Sequence, residues 1–133
     1  MTNRSDVYVV DTHALIWWAL DDSKLSNRAN GVFASAEKDE ARLLVPTVVL
    51  AEMLHLSEGR IPEIPTQEVL DTLASMDSVT ITPFDFATFR HVLDLPHELQ
   101  IHDRIIAATG RVFDAPILTM DTKIAAAVST VWN

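Results

Sequence analysis

Four carboxylates stand where a chain of alternating strands and helices would carry ligand chemistry. Asp11 directly follows the run Val7-Tyr8-Val9-Val10, and Asp121 comes just after Ile117-Leu118-Thr119. Asp103 stands at the start of the helix expected to contain Ile105 and Ala108. Glu52 interrupts the apolar stretch Val48-Val49-Leu50-Ala51-Glu52-Met53-Leu54. A carboxylate between apolar neighbours is costly to bury unless paired or bound to a metal. Each acid also has a plainer reading. An Asp after a strand is often a turn residue or helix cap. Asp103 alone would serve as a cap near a positive helix end, and Glu52 alone as a residue on a solvent face. If all four meet in one cleft, their mutual repulsion calls for a cation. Mg²⁺ or Mn²⁺ suits such an all-oxygen site.

The elements that would position them are short. Val7–Val10 reads as a buried strand and Thr12 to Leu20 as a helix. Ser26 caps a second helix whose Ala29, Val32, Phe33 and Ala36 form a stripe. Leu43-Leu44-Val45 is a second strand closed by Pro46. Val49, Met53 and Leu56 then mark a helix ending near Gly59, and Thr66 opens another with Val69, Leu70 and Leu73 on one face. Val79–Thr82 is a third strand. Phe86, Phe89 and Leu93 mark the apolar face of a helix stopped by Pro96; Ile105, Ala108 and Val112 mark the next. Ile117–Thr119 is a fourth strand, Lys123–Val128 a short helix, and Thr130-Val131-Trp132 a last strand. The alternation predicts an α/β fold with a parallel sheet and helices on both faces. Ligands in such sheets sit at the carboxyl ends of the strands.

Composition narrows the function classes. With 133 residues the chain is expected to form one domain over 1–133. The Pro-rich patch Arg60–Pro65 reads as a loop. There are no cysteines, which excludes disulfides, thiolate metal sites and thiol catalysis. The balance of 10 Lys+Arg against 19 Asp+Glu gives a net charge of -9. That argues against broad electrostatic wrapping of nucleic acid, though not against gripping it through bound cations. The polar start, Met1 to Asp6, has no targeting pattern. Apolar runs such as Ala14–Leu20 fall far short of the ~20 residues that span a bilayer. A soluble, cytoplasmic protein with no membrane partner is expected.

Four segments carry a family likeness. Val9-Val10-Asp11-Thr12-His13-Ala14-Leu15-Ile16-Trp17-Trp18 resembles the opening of PIN-domain ribonucleases, in particular VapC-type toxins. Pro46-Thr47-Val48-Val49-Leu50-Ala51-Glu52-Met53 looks like their second motif, His102-Asp103-Arg104-Ile105-Ile106-Ala107-Ala108 their third, and Leu118-Thr119-Met120-Asp121 their fourth. All four occur in family order, and the likeness covers essentially the whole chain. The resemblance implies a PIN-like three-layer fold with a parallel five-stranded sheet, and metal-dependent endonucleolytic cleavage of RNA. Asp11, Glu52, Asp103 and Asp121 carry over as catalytic, metal-binding acids for Mg²⁺ or Mn²⁺. Thr119 matches a hydroxyl that positions ligands or water. Thr12 caps the first helix or supports Asp11. Arg104 touches phosphate, pairs with a site carboxylate, or forms an ordinary structural ion pair. The likeness also implies an RNA substrate, a cognate antitoxin and a homodimer. One position departs: Gln100 stands where many relatives carry an Asp.

Other readings are weaker. His13, His55, His91, His97 and His102 show no HExxH spacing for zinc, although His13 and His102 adjoin site acids. Lys24, Arg28, Arg42, Arg60 and Lys123 are scattered and read as solvated surface. Trp17 and Trp18 point about 100° apart on a helix, so at most one lies fully in the core. A haloacid-dehalogenase-like phosphatase would need Asp where His13 stands, and neither it nor a receiver domain has a use for Glu52. No Gly-rich phosphate loop or nucleophile elbow is present. A catalytically weak PIN-fold module that binds RNA or protein is the alternative.

Overall fold

Strand β1 (Val7–Val10) ends in Val9 and Val10, neither of which exposes any surface. Successive strand residues point to opposite faces, so the sheet is covered on both sides there. Strand β2 (Arg42–Pro46) repeats this with Leu43, Leu44 and Val45, all buried. Such doubly buried strands belong to parallel sheets with helices on both faces, and that α/β architecture is what is seen. The protein is described from a computed structural model covering residues 6–133. Of the polar start read above, all but Asp6 lies outside the described residues.

After β1 come α1 (Thr12–Ala19) and α2 (Asn27–Glu37), then β2, α3 (Thr47–Ser57), α4 (Thr66–Ser75) and β3 (Val79–Thr82). There follow α5 (Phe86–Val92), α6 (Ile101–Phe113), β4 (Ile117–Leu118), α7 (Thr122–Ala127) and β5 (Thr130–Val131). The five strands lie in the order β3-β2-β1-β4-β5, every neighbouring pair parallel. β1 pairs with β2 through Tyr8 opposite Leu43, and with β4 through Val10 opposite Leu118.

Helix α6 lies deepest. Its Ile106 joins the main core around Leu15, Phe33, Met53 and Leu118, while Ile105, Ala107 and Ala108 form a second cluster with Val92 and Leu95. Gly110 is where α6 meets β4. A Cβ there would stand 2.5 Å from Ile117 Cδ1 and 2.9 Å from the Ala115 carbonyl oxygen. Gly→Ala inside a helix normally gains about 1 kcal/mol. Here the backbone carbonyl cannot give way, and overpacking of about 1–3 kcal/mol outweighs the gain. Gly110→Ala is therefore expected to lower the urea midpoint at unchanged m-value.

One expectation changes. Phe86, Phe89 and Leu93 do not face the core; they are 74%, 43% and 66% exposed. Helix α5 instead buries Thr88 and Val92. Asp85 sets that phase, since its Oδ1 accepts from both the Thr88 N–H and the Thr88 hydroxyl. The hydroxyl is satisfied locally, so a polar residue can turn inward. β3 is an edge strand with Thr80 and Ile81 exposed.

Candidate active site

Strand order runs away from β1 in both directions, through β2 to β3 and through β4 to β5. The carboxyl ends of β1 and β4 therefore flank a topological switch point, where parallel sheets open a crevice for ligands. Asp11 caps α1 at the end of β1. Its Oδ1 accepts from the Thr12 N–H at 2.7 Å and its Oδ2 from the Thr119 hydroxyl at 2.5 Å. The same hydroxyl accepts from the Asp121 N–H at 3.0 Å. Thr119 thus ties the two strand ends together. Asp121 caps α7 through Oδ1, which accepts from the Lys123 and Ile124 N–H groups at 2.7 and 3.0 Å.

The other two acids arrive on helices. α3 buries Val49, Met53 and Leu56 and leaves Glu52 at the margin of that face. Asp103 stands in the first turn of α6, where Gln100 rather than Asp103 is the cap. α3 packs against both α1 and α6, so Glu52 lies on the helix between those that carry Asp11 and Asp103. All four carboxylates line one cleft of about 920 Å³. His102 bridges two of them, its Nε2 3.1 Å from Glu52 Oε2 and 3.4 Å from Asp103 Oδ1.

Burial pushes the Asp11 carboxyl up, against the Thr119 and Thr12 hydrogen bonds and the nearby His13, with Glu52 adding repulsion. Asp103 is pushed up to about 6, first by burial. His102 opposes the rise; Asp11, Asp121 and Glu52 reinforce it. Asp103 therefore feels all three other acids. No Lys or Arg forms an ion pair with any of the four among the described residues. That donor set, hard oxygens and excess negative charge, fits a divalent cation in kind. The side chains are not gathered into a shell. Among the described residues no group of three or more His, Asp or Glu is placed to hold an ion.

The remaining expected residues fall elsewhere. Asp11, not Thr12, caps α1; Thr12 is fully buried and its hydroxyl meets no partner among the described residues. Arg104 does not enter the cleft or pair with an acid. Its Nη2 donates to the Val92 and Leu95 carbonyls at 2.9 and 3.4 Å, bracing α6 against the end of α5. Trp17, His55, Gln100, Arg60 and Lys123 also line the cleft. Arg60, in the turn after α3, and Lys123, in α7, reach one opening, which their spacing in the sequence does not show.

A family model of the PIN domain matches residues 8–128. The chain belongs to the PIN-domain family. No curated protein sequence matches this PIN domain. Solved structures share its fold at low identity. VapBC2 from Rickettsia felis, bound to a DNA fragment from its promoter, aligns with a TM-score of 0.71 at 17% identity, covering 96% of this chain and 99% of that one. FitAcB from Neisseria gonorrhoeae aligns at 0.66 and 20%, covering 96% of each chain. VapC20 from Mycobacterium tuberculosis, a sarcin-ricin loop cleaving toxin, aligns at 0.66 and 18%, covering 96% of this chain and 99% of that one. Among the described residues of the PIN domain, no helix is long and apolar enough to cross a membrane.

Proposed function

We propose that this PIN domain is a divalent-metal-dependent endoribonuclease of the VapC type, the toxin of a type II toxin–antitoxin pair. The observation that carries the reading is the convergence of Asp11, Glu52, Asp103 and Asp121 on one cleft at the switch point of the sheet. These four acids would hold Mg²⁺ or Mn²⁺. A cation there would supply positive charge next to four acids that no Lys or Arg pairs with among the described residues, offset charge building on a phosphodiester and acidify water. The protein's own residues do the positioning. Thr119 fixes Asp11 and keeps the Asp121 backbone in place. Arg60 and Lys123 offer the cleft cationic contacts for phosphate.

The rest of the reading follows the family. The protein acts in the cytoplasm as a single domain over 1–133, forms a homodimer, and is silenced by a cognate antitoxin. The catalytically weak module is the second reading. Gln100 in the cleft and His102 between Glu52 and Asp103 favour it.

Cleavage of single-stranded RNA by the purified protein in Mg²⁺, Mn²⁺ or EDTA, beside Asp11→Asn, separates the two. Metal-dependent cleavage lost in the variant supports the nuclease. A folded, metal-loaded protein that binds RNA without cleaving it supports the module. Thr119→Val keeps the shape but removes the tie between Asp11 and Asp121. It is expected to slow cleavage by about 10–100-fold, the usual cost of losing a group that orients a ligand. Rates in Mg²⁺ check this, with circular dichroism confirming the fold.

A further inference from the structure

Trp17 and Trp18 are neighbours in sequence with different surroundings. Trp18 stacks flat on the buried Phe33, ring centroids 4.8 Å apart and planes 4° apart. Trp17 turns to the carboxylate cleft and lines it together with His13 one helical turn earlier. The His13 and Trp17 rings are 5.6 Å apart and tilted by 48°. Trp132, beyond β5, meets Trp17 edge to face at 5.8 Å and 62°. Trp17 is thus held by aromatic contacts with two residues and remains partly exposed, about 9 Å along the helix axis from Asp11. Trp17 packs against the main core, as Trp18 does, yet part of its ring stays open and lines the acidic cleft, which that of Trp18 does not.

We propose that Trp17 is a base-stacking platform on which an unpaired nucleobase of the RNA rests beside the carboxylate site. This rests on the nuclease reading above. The charge balance makes such a platform useful. A protein at -9 gains little from general attraction to phosphates. Stacking on an aromatic face is independent of net charge and open to every base, because each has a π-face. Recognition of this kind requires a base that is not paired in a duplex. Trp17 acts on binding rather than on the chemical step.

The test uses the full chain in Mg²⁺ with two probes of equal length: a single-stranded oligoadenylate and an abasic-spacer oligomer. Trp17→Leu is expected to weaken oligoadenylate binding by about 5- to 100-fold and leave the abasic probe unaffected. It should raise KM for RNA with little change in kcat, and Trp17→Phe should restore most of the loss. Oligoadenylate should quench the fluorescence of the Trp18→Phe protein but not that of Trp17→Phe, a readout that survives if Trp17→Leu does not fold. Equal weakening of both probes, or unchanged oligoadenylate binding by Trp17→Leu, overturns the platform. The two readings fail separately. Wild-type cleavage with unaltered KM in Trp17→Leu rejects the platform alone. Trp17-dependent binding without any cleavage rejects the nuclease alone.

Discussion

Asp103→Asn is expected to slow RNA cleavage by about 10²–10³-fold while making the metal-free protein more stable. The two effects have one cause. Asp103 is half-buried in a cleft with three other acids, and its pKa is pushed up to about 6 from 3.8. A raised folded-state pKa means that ionisation opposes folding. The penalty is absent below 3.8 and fully present above about 6, so it operates at neutral pH. Asn has nearly the same shape and cannot ionise. After allowing for solvent screening of a partly exposed group, the gain is about 1 kcal/mol, or roughly 4 °C in Tm. At pH 4 the gain should nearly vanish. Asn keeps a single carbonyl oxygen but no charge, so the cation site is weakened and activity falls. Melting curves at pH 4 and pH 7.5 in EDTA, with rates in Mg²⁺, check both halves. Loss of activity with loss of stability would mean that Asp103 is a structural residue.

The second large effect is on the core. Phe33→Ala should destabilise the protein by about 3–5 kcal/mol, a large share of the 5–15 kcal/mol typical of a domain. Phe33 exposes no surface and is the stacking partner of Trp18. Removing it opens a cavity between α1 and α2 that neither helix fills easily. Ser26 pins the start of α2, since its hydroxyl accepts from the Ala29 N–H and donates to the Trp132 carbonyl. The site should survive, because Asp11 is held by Thr119 and the backbone of Thr12 rather than by Phe33. Urea unfolding should show the full loss, and cleavage per folded molecule at low temperature should be unchanged. A loss under 1 kcal/mol would show that α1 and α2 are not packed as described.

The sheet was legible because its strands are short and apolar throughout. Val9-Val10 and Leu43-Leu44-Val45 are buried on both faces, and that can be read from consecutive residues alone. The acids stand out by position: Asp11 and Asp121 come after strands, Glu52 breaks an apolar run and Asp103 stands in the first turn of a helix, and the fold brings all four to one cleft. What resisted reading depends on rotation and on contacts distant in sequence. The phase of α5 is set by Asp85 and Thr88, and an apolar pattern alone could not show Thr88 turning inward. Arg104 sits beside Asp103 in sequence, yet its guanidinium reaches back to the end of α5. Helix ends were hard for a further reason. Among the described residues the left-handed ones are Asp21, Asp39 and Asp114, and no glycine has positive φ. Gly59 marks the end of α3, but three turns take the left-handed conformation on Asp instead, which tolerates it and which a search for Gly does not find.

Thermal unfolding of the full chain titrated with Mn²⁺ tests most directly whether the four acids form one cation site. A ligand bound only by the folded state raises stability by about 2.7 kcal/mol at a hundredfold excess over Kd. The wild type should therefore gain several degrees in Tm as Mn²⁺ rises. Asp11→Asn and Asp103→Asn should start higher in EDTA and gain little. A wild-type Tm that ignores Mn²⁺, or one that rises equally in both variants, would contradict a cation site built from Asp11, Glu52, Asp103 and Asp121.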